Sequence, residues 1–377
     1  DTSFQFGIYE DAFKIFDTLT EMTVPPSVTK IPDSCFEKLA NLNKIVISSS
    51  VTEIGVGSFI GCSSLKDVSI SSSLKSIGDK AFMGCTSLVK VLFDDEKSSL
   101  ESIGKNSFDD CSSLKQMLIP SSLKSLGDNA FNKCTSLINV SFQKNSSLQL
   151  IGKSSFSNCT SLSQILIPSS LMLIDEKAFM NCKSLSNVSF EDPCSLTSIG
   201  KSAFAFCISL TSFILPTSVT SIDDHVFQNC SSLKQISIHS SVTSIGDCAF
   251  CDCTSLRKIS IPDSVKSIGR CAFDSCSLLE VASIPSSLSF IGDYLFENCS
   301  SLKQISIPSS VTSIGEYSFS KCTSLVQVAI PSSVTLIGNY AFEDCSSLKQ
   351  IEIPSSVTSI GDYSFRKCIS LEKIIIS

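Results

Sequence analysis

Leu302-Lys-Gln-Ile-Ser-Ile-Pro-Ser-Ser-Val-Thr-Ser-Ile-Gly-Glu-Tyr-Ser-Phe-Ser-Lys-Cys-Thr-Ser324 is one copy of a 23-residue phrase, and the next copy starts at Leu325. A leucine opens the phrase at Leu19, Leu42, Leu65, Leu88, Leu114, Leu137, Leu162, Leu185, Leu210, Leu233, Leu256, Leu279, Leu302, Leu325, Leu348 and Leu371. A fixed period of this size predicts a stacked solenoid in which each unit is one coil touching only its neighbours. Equivalent residues then form columns, and function has to be sought column by column.

Within a coil, Leu-x-x-Ile-x-Ile alternates with a period of two and is rich in β-branched residues, which predicts a strand. Pro ends it, because proline donates no ladder hydrogen bond. Stacking the coils makes these strands one parallel sheet. The stretch Ser-Ser-Val-Thr-Ser-Ile-Gly turns and runs back as a short second strand. Its glycines (Gly55, Gly78, Gly104, Gly127 and onward) are expected to supply a turn at positive φ. The following Asp occupies an N-cap position, which predicts one short α or 3₁₀ turn before Ala-Phe-x-x-Cys. Phe recurs at sixteen equivalent positions, from Phe13 to Phe365. Each buried Phe contributes about 1.5–3 kcal/mol, so this column is read as the core spine.

Composition agrees with a packed chain: 42% of the 377 residues are hydrophobic and 17% are charged. The net charge of -7 gives no basic footprint for nucleic acid. No apolar run is long enough to span a membrane. The repeat phase places Ile8 and Phe13 23 residues before Ile31 and Phe36, and Leu371–Ser377 matches only an opening strand. The reading is therefore a partial coil over 1–18 and one continuous solenoid over 19–377. Ends without visible caps raise the expectation of a fragment, a processed chain, or end-to-end self-association.

The full phrase Leu-x-x-Ile-x-Ile-Pro-x-Ser-Val-Thr-x-Ile-Gly-x-x-Ala-Phe-x-x-Cys resembles the BspA-like leucine-rich repeat family, found in surface proteins of oral bacteria and parasitic protists. The match runs over about residues 8 to 377. The resemblance implies a leucine-rich repeat solenoid and a surface role in adhesion or protein binding. It transfers no binding residue, because the recurring motif is structural.

Nineteen cysteines invite a disulfide or metal reading. Fourteen form one column: Cys62, Cys85, Cys111, Cys134, Cys159, Cys182, Cys207, Cys230, Cys253, Cys276, Cys299, Cys322, Cys345 and Cys368. Phe16 and Leu39 hold the same slot in the first coils, so the slot reads as buried and apolar, suited to reduced thiols. Parallel Cβ vectors suit a bridge poorly, and a straight ladder lacks the tetrahedral convergence that zinc needs. Cys35, Cys194, Cys248, Cys251 and Cys271 lie outside the column. Cys248 and Cys271 stand 23 residues apart in a column expected to be exposed. They are candidates for a cross-coil disulfide, or with Cys251 an adventitious metal site, against the alternative of unlinked thiols.

Nothing in the sequence assembles an active site, and no catalytic, cofactor-binding or metal residue is assigned. His225 and His239 are the only histidines, and neither has a recurring nucleophile beside it. The glycines come one per coil and form no phosphate-binding loop. No pair of carboxylates is placed for acid–base work.

Three surfaces are candidates for a partner. The exposed strand positions repeat Lys-Gln at Lys115-Gln116, Lys234-Gln235, Lys303-Gln304 and Lys349-Gln350, with Arg257-Lys258 in the same columns. Solenoids use such faces for binding, although lysines also discourage lateral strand pairing. Tyr294, Tyr317, Tyr340 and Tyr363 fill one slot in successive coils, either as interface contacts or as a ladder stacked on itself. Longer turns at residues 94–99, 143–147 and 191–195 fall on one edge, where insertions often serve binding. Of six Asn-x-Ser/Thr sequons (Asn139, Asn145, Asn158, Asn187, Asn229 and Asn298), Asn145 is the best glycan acceptor if the chain is secreted.

These observations point to a non-enzymatic, surface-displayed module that binds a host or neighbouring-cell protein, with no cofactor, no nucleic acid and no membrane span in this chain. The alternative is an intracellular or filament-associated scaffold that assembles end to end.

Overall fold

The computed structural model describes residues 18–93 and 98–376. They fall into two compact units, Asp1–Leu162 and Ser163–Ser377, and within each unit the chain winds as a parallel β-solenoid. Ile8, Tyr9, Phe13, Phe16 and residues 94–97 of the first long turn lie outside the described residues.

In the first unit the phrase-opening strands Glu21–Thr23, Lys44–Val46, Asp67–Ile70 and Lys90–Phe93 pair in order, and Gln116–Ile119 pairs with Asn139–Phe142. In the second unit Lys258–Ile259, Val281–Ala282, Gln304–Ser306, Gln327–Ala329, Gln350–Ile353 and Lys373–Ile376 form the longest run. The register joins like to like, with Gln304 opposite Gln327 and Gln327 opposite Gln350. Alternation shows directly in Gln350–Ile353, where the first and third residues are exposed and Ile351 and Ile353 are buried. The returning segment forms two-residue strands such as Ser313–Ile314 and Leu336–Ile337, also parallel.

The Phe column is the spine that the period predicts. Rings stack at 5.1–5.4 Å from Phe36 to Phe156 in the first unit. The stack runs from Phe179 to Phe365 in the second, where the spacing reaches 5.9 Å between Phe204 and Phe227. At that wider step Phe213, in a strand slot usually held by Ile or Val, packs edge-on against Phe227 at 4.9 Å.

Two expectations fail in the arc that follows the glycine. No helix forms among the described residues; the arc is a chain of turns. Two residues per coil, four apart, adopt positive φ, as at Lys80 and Gly84 or Asn106 and Asp110, and this prevents the uniform dihedrals a helix requires. One of these columns is filled mostly by Asn, Asp, Gly and Lys; the other contains His225, Cys248, Cys271 and all four late tyrosines. The left-handed bends aim alternate N–H groups at the next coil. Gly57, Phe59 and Gly61 donate to the carbonyls of Asp79, Ala81 and Met83 at 2.7–2.8 Å.

The second failure concerns the glycine itself, because Gly55, Gly78, Gly104 and Gly127 do not sit at positive φ. They are needed for close approach. A Cβ on Gly127 would lie 2.6 Å from the Gly104 carbonyl carbon and 2.7 Å from the Lys105 nitrogen of the preceding coil. The Asp after the glycine is likewise no N-cap. Its carboxylate reaches across coils, so that Asp79 Oδ1 accepts from the Lys105 N–H at 2.7 Å and Asp247 Oδ1 from the Arg270 N–H at 2.8 Å.

Where Ser replaces Ala before Phe, the buried hydroxyl needs an acceptor. Ser58 and Ser107 donate to the carbonyls of Gly55 and Gly104 at 2.8 Å, but the Ser318 hydroxyl is buried without a hydrogen-bond partner. Ser318→Ala should therefore raise unfolding stability by about 1 kcal/mol, whereas Ser107→Ala should lower it by a similar amount, both read from urea melts.

Candidate functional site

Every strand-face residue singled out from the sequence is exposed: Lys115, Gln116, Lys234, Gln235, Arg257, Lys258, Lys303, Gln304, Lys349 and Gln350. The period of two accounts for Gln116, Gln235, Lys258, Gln304 and Gln350, which open their strands beside a buried Met or Ile, while Lys115, Lys234, Arg257, Lys303 and Lys349 lie just before the strands. Lys115 and Gln116 lie in the first unit, at a hollow of about 340 Å³ lined also by Val89, Lys90, Ile138 and Asn139. The others lie in the second unit, whose last strands carry a shallow groove of about 540 Å³. Gln304, Gln327 and Gln350 line it as an in-register amide row, with Ser306, Ala329 and Glu352 alongside.

The lysines and the glutamines belong to different kinds of column. Glu280 stands between Arg257 and Lys303 and bonds both, at 3.1 and 3.2 Å, so the basic stripe is neutralised there by its own neighbour. Val326 interrupts it one coil later. The amide column is more regular: Gln116 pairs with Asn139 in the first unit, Gln164 with Asn187 in the second. Sequence reasoning missed Gln327 and Glu280 because it followed the Lys-Gln dipeptide. Reading the third phrase position alone would have found the amides.

The tyrosines stack on one another, with ring centroids 4.9, 4.6 and 5.1 Å apart from Tyr294 to Tyr363. Arg270 lies over Tyr294 at 5.4 Å and Arg366 over Tyr363 at 5.3 Å, so each end of the row carries a cation. Most ring faces are therefore occupied, and edges and hydroxyls are what the row offers a partner. Burial raises the phenol of Tyr294 above its ordinary range, and the nearby carboxylates Glu297, Glu316 and Asp293 act in the same direction.

The described long turns are tied to the coil before them. Gln143 Oε1 accepts from the Ser121 N–H at 2.9 Å, and Glu191 Oε2 accepts from the Ser169 N–H at 3.1 Å. Asn145 is exposed at φ 56°. Asn229 and Asn298 instead donate their amides to Asp252 and Asp274 at 3.2 and 3.1 Å.

All nineteen cysteines are free thiols. Column thiols do more than fill space. Cys85 donates to the Phe59 carbonyl, Cys134 to Phe108 and Cys299 to Phe273, each at 3.2 Å and each in the preceding coil. Burial pushes the Cys207 thiol up to about 12 and Cys134 higher still. Outside the column, Cys251 is buried against Asp252 and Asp274 at 3.5 and 3.8 Å, while half-buried Cys248 and Cys271 stand in one column of adjacent coils. No cluster of His, Cys, Asp and Glu able to hold a metal ion occurs among the described residues. No helix there is long and apolar enough to cross a membrane. His225 Nδ1 meets Gln228 at 3.0 Å and His239 Nε2 meets the Pro216 carbonyl at 2.8 Å, so both rings serve local structure.

Among solved structures, the chain is similar to a leucine-rich repeat protein from Bacteroides ovatus. The two share 30% identity over 94% of this chain and 86% of that one, with a TM-score of 0.68. A leucine-rich repeat protein from Eubacterium ventriosum matches at 23% identity over 92% and 88%, with a TM-score of 0.51. The pneumococcal vaccine antigen PcpA matches at 21% over 96% and 90%, with a TM-score of 0.52. These last two bear on the fold alone. No curated protein matches the sequence. The family model for the BspA type leucine rich repeat region matches residues 7–102, 95–197, 197–326 and 289–377. With its phrase, its ladders and this match in agreement, the chain belongs to the BspA-type leucine-rich repeat family.

Proposed function

We propose that this chain is a non-enzymatic protein-binding module, displayed at a cell surface, that recognises a host or neighbouring-cell protein through its strand face. The observation that carries the reading is the groove of about 540 Å³ with its row of exposed amides at Gln304, Gln327 and Gln350. Each amide offers both a donor and an acceptor to a partner's polar groups, and the spacing between them is fixed by the ladder. The family supports surface display. Rigid presentation from paired strands also lowers the ordering cost of binding.

The test is adhesion of beads coated with the chain to host-type or neighbouring cells. Replacing Gln304, Gln327 and Gln350 together with Ala should lower binding by about tenfold or more, as expected when central contacts are truncated. Lys234→Glu with Lys349→Glu should weaken it less and in a salt-dependent way, because neither lysine forms an ion pair among the described residues. Undiminished adhesion by the folded amide triple variant would remove the strand face from consideration.

A further inference from the structure

Cys248 and Cys271 differ from every column cysteine in position and surroundings. Both occupy the first positive-φ column, at 51° and 54°, and both are half-buried. Their coils are adjacent and bonded in the arc, since the Cys248 N–H donates to the Arg270 carbonyl at 2.8 Å. The tyrosines that continue this column show that its side chains meet from coil to coil, with ring centroids 4.6–5.1 Å apart. Backbones one ladder step apart, about 4.8 Å, lie within the Cα separation of about 4.4–6.8 Å that a disulfide accepts. The two thiols are near enough to influence each other's ionisation.

Alternative partners for these sulfurs are engaged elsewhere. Cys251 faces the carboxylates of Asp252 and Asp274. Cys253 and Cys276 donate to the carbonyls of Phe227 and Phe250 at 3.2 and 3.3 Å inside the coil. We infer that Cys248 and Cys271 form a reversible cross-coil disulfide, a modification site that takes a small-molecule disulfide of the glutathione class as its oxidant.

The exchange balances without any other reagent. One protein sulfur loses its proton and attacks the oxidant's S–S bond, releasing one small thiol and leaving a mixed disulfide. The second sulfur then loses its proton and attacks the first, releasing the second small thiol. Two electrons pass from the pair to the oxidant, and both protons end on the released thiols. Burial raises both thiols above their ordinary value, Cys271 the further, up to about 12, so Cys248 is the more readily ionised of the two and is the attacking group.

The bridge also falls beside a weak place in the second unit. Strands Ser267–Ile268 and Phe290–Ile291 belong to different sheets, and the arc bonds from Cys271 and Phe273 to the next coil lengthen to 3.1 Å. An oxidised pair would fasten together the two coils on the N-terminal side of that opening.

The test is to incubate the native chain with oxidised glutathione, quench with acid, alkylate, digest and map by mass spectrometry. The expected result is a Cys248–Cys271 cross-linked peptide pair, lighter by two hydrogens and restored by dithiothreitol, with column cysteines still free. Cys251→Ser should leave the cross-link intact, and Cys271→Ser should leave Cys248 as a stable glutathione adduct. Two separate adducts, two unmodified thiols, or a bridge from either residue to Cys251 in the native chain would each overturn the inference.

Discussion

Above about pH 9 the folded chain should lose stability steeply and unfold cooperatively, with its column thiols as the cause. In an unfolded chain these thiols ionise near 9.0, while burial holds those of Cys85, Cys111, Cys134, Cys207, Cys230, Cys253, Cys276, Cys299, Cys322 and Cys345 far above that in the fold. The sign is fixed by proton number. Below pH 9 both states keep their protons and the stabilising term is fully present. Above it only the unfolded chain releases them, so stability falls as pH rises toward the folded values. Each such thiol removes about 1 kcal/mol between pH 9 and 10 and about 1.4 kcal/mol per pH unit beyond, so ten acting together remove on the order of 10 kcal/mol between pH 9 and 10. That equals the whole stability of a typical domain. Circular dichroism from pH 7 to 11 under reducing conditions should show a sharp transition near pH 10, and Cys276→Ala with Cys299→Ala should move it upward. A chain still folded at pH 11 would contradict this account.

The second large effect concerns the glycine column. Gly338→Ala would place a Cβ 2.7 Å from the Glu316 nitrogen and the Gly315 carbonyl carbon, both backbone atoms of a neighbouring coil that cannot rotate away. A destabilisation of about 1–3 kcal/mol is expected, as for other overpacked sites. Gly292→Ala should be close to neutral, because its nearest neighbour would be the Ile268 oxygen at 3.6 Å. Urea melts of the two variants decide it. Equal loss at both positions would mean that entropy of the unfolded chain, rather than inter-coil contact, accounts for the glycines.

What was legible in the sequence was whatever depends on period alone. The strand, the Phe spine and the buried thiol column follow from Leu302, Ile305, Phe319 and Cys322 recurring at fixed phase, since burial copies from coil to coil. The arc was not legible, because its geometry depends on φ at residues as unlike as Lys80, Cys248 and Tyr317, whose types do not favour the left-handed region. The glycines were read as turn residues because a one-dimensional pattern cannot show an atom of the neighbouring coil 2.6 Å away. On the strand face, exposure of the glutamines was predictable from alternation. The neutralising place of Glu280 was not, because it is 23 residues from both Arg257 and Lys303 and adjacent to them only through the ladder.

The direction of the arc bonds has a consequence for any contact made through a bared coil surface. In every arc step described above, N–H groups point toward the following coil, while the column thiols point back to the preceding one. A coil therefore has two chemically different sides, one presenting arc donors and the other arc acceptors. Two like sides brought together would set donor against donor. Opposite sides match, and repetition of that match by a screw operation yields an open polar fibre instead of a closed two-fold pair.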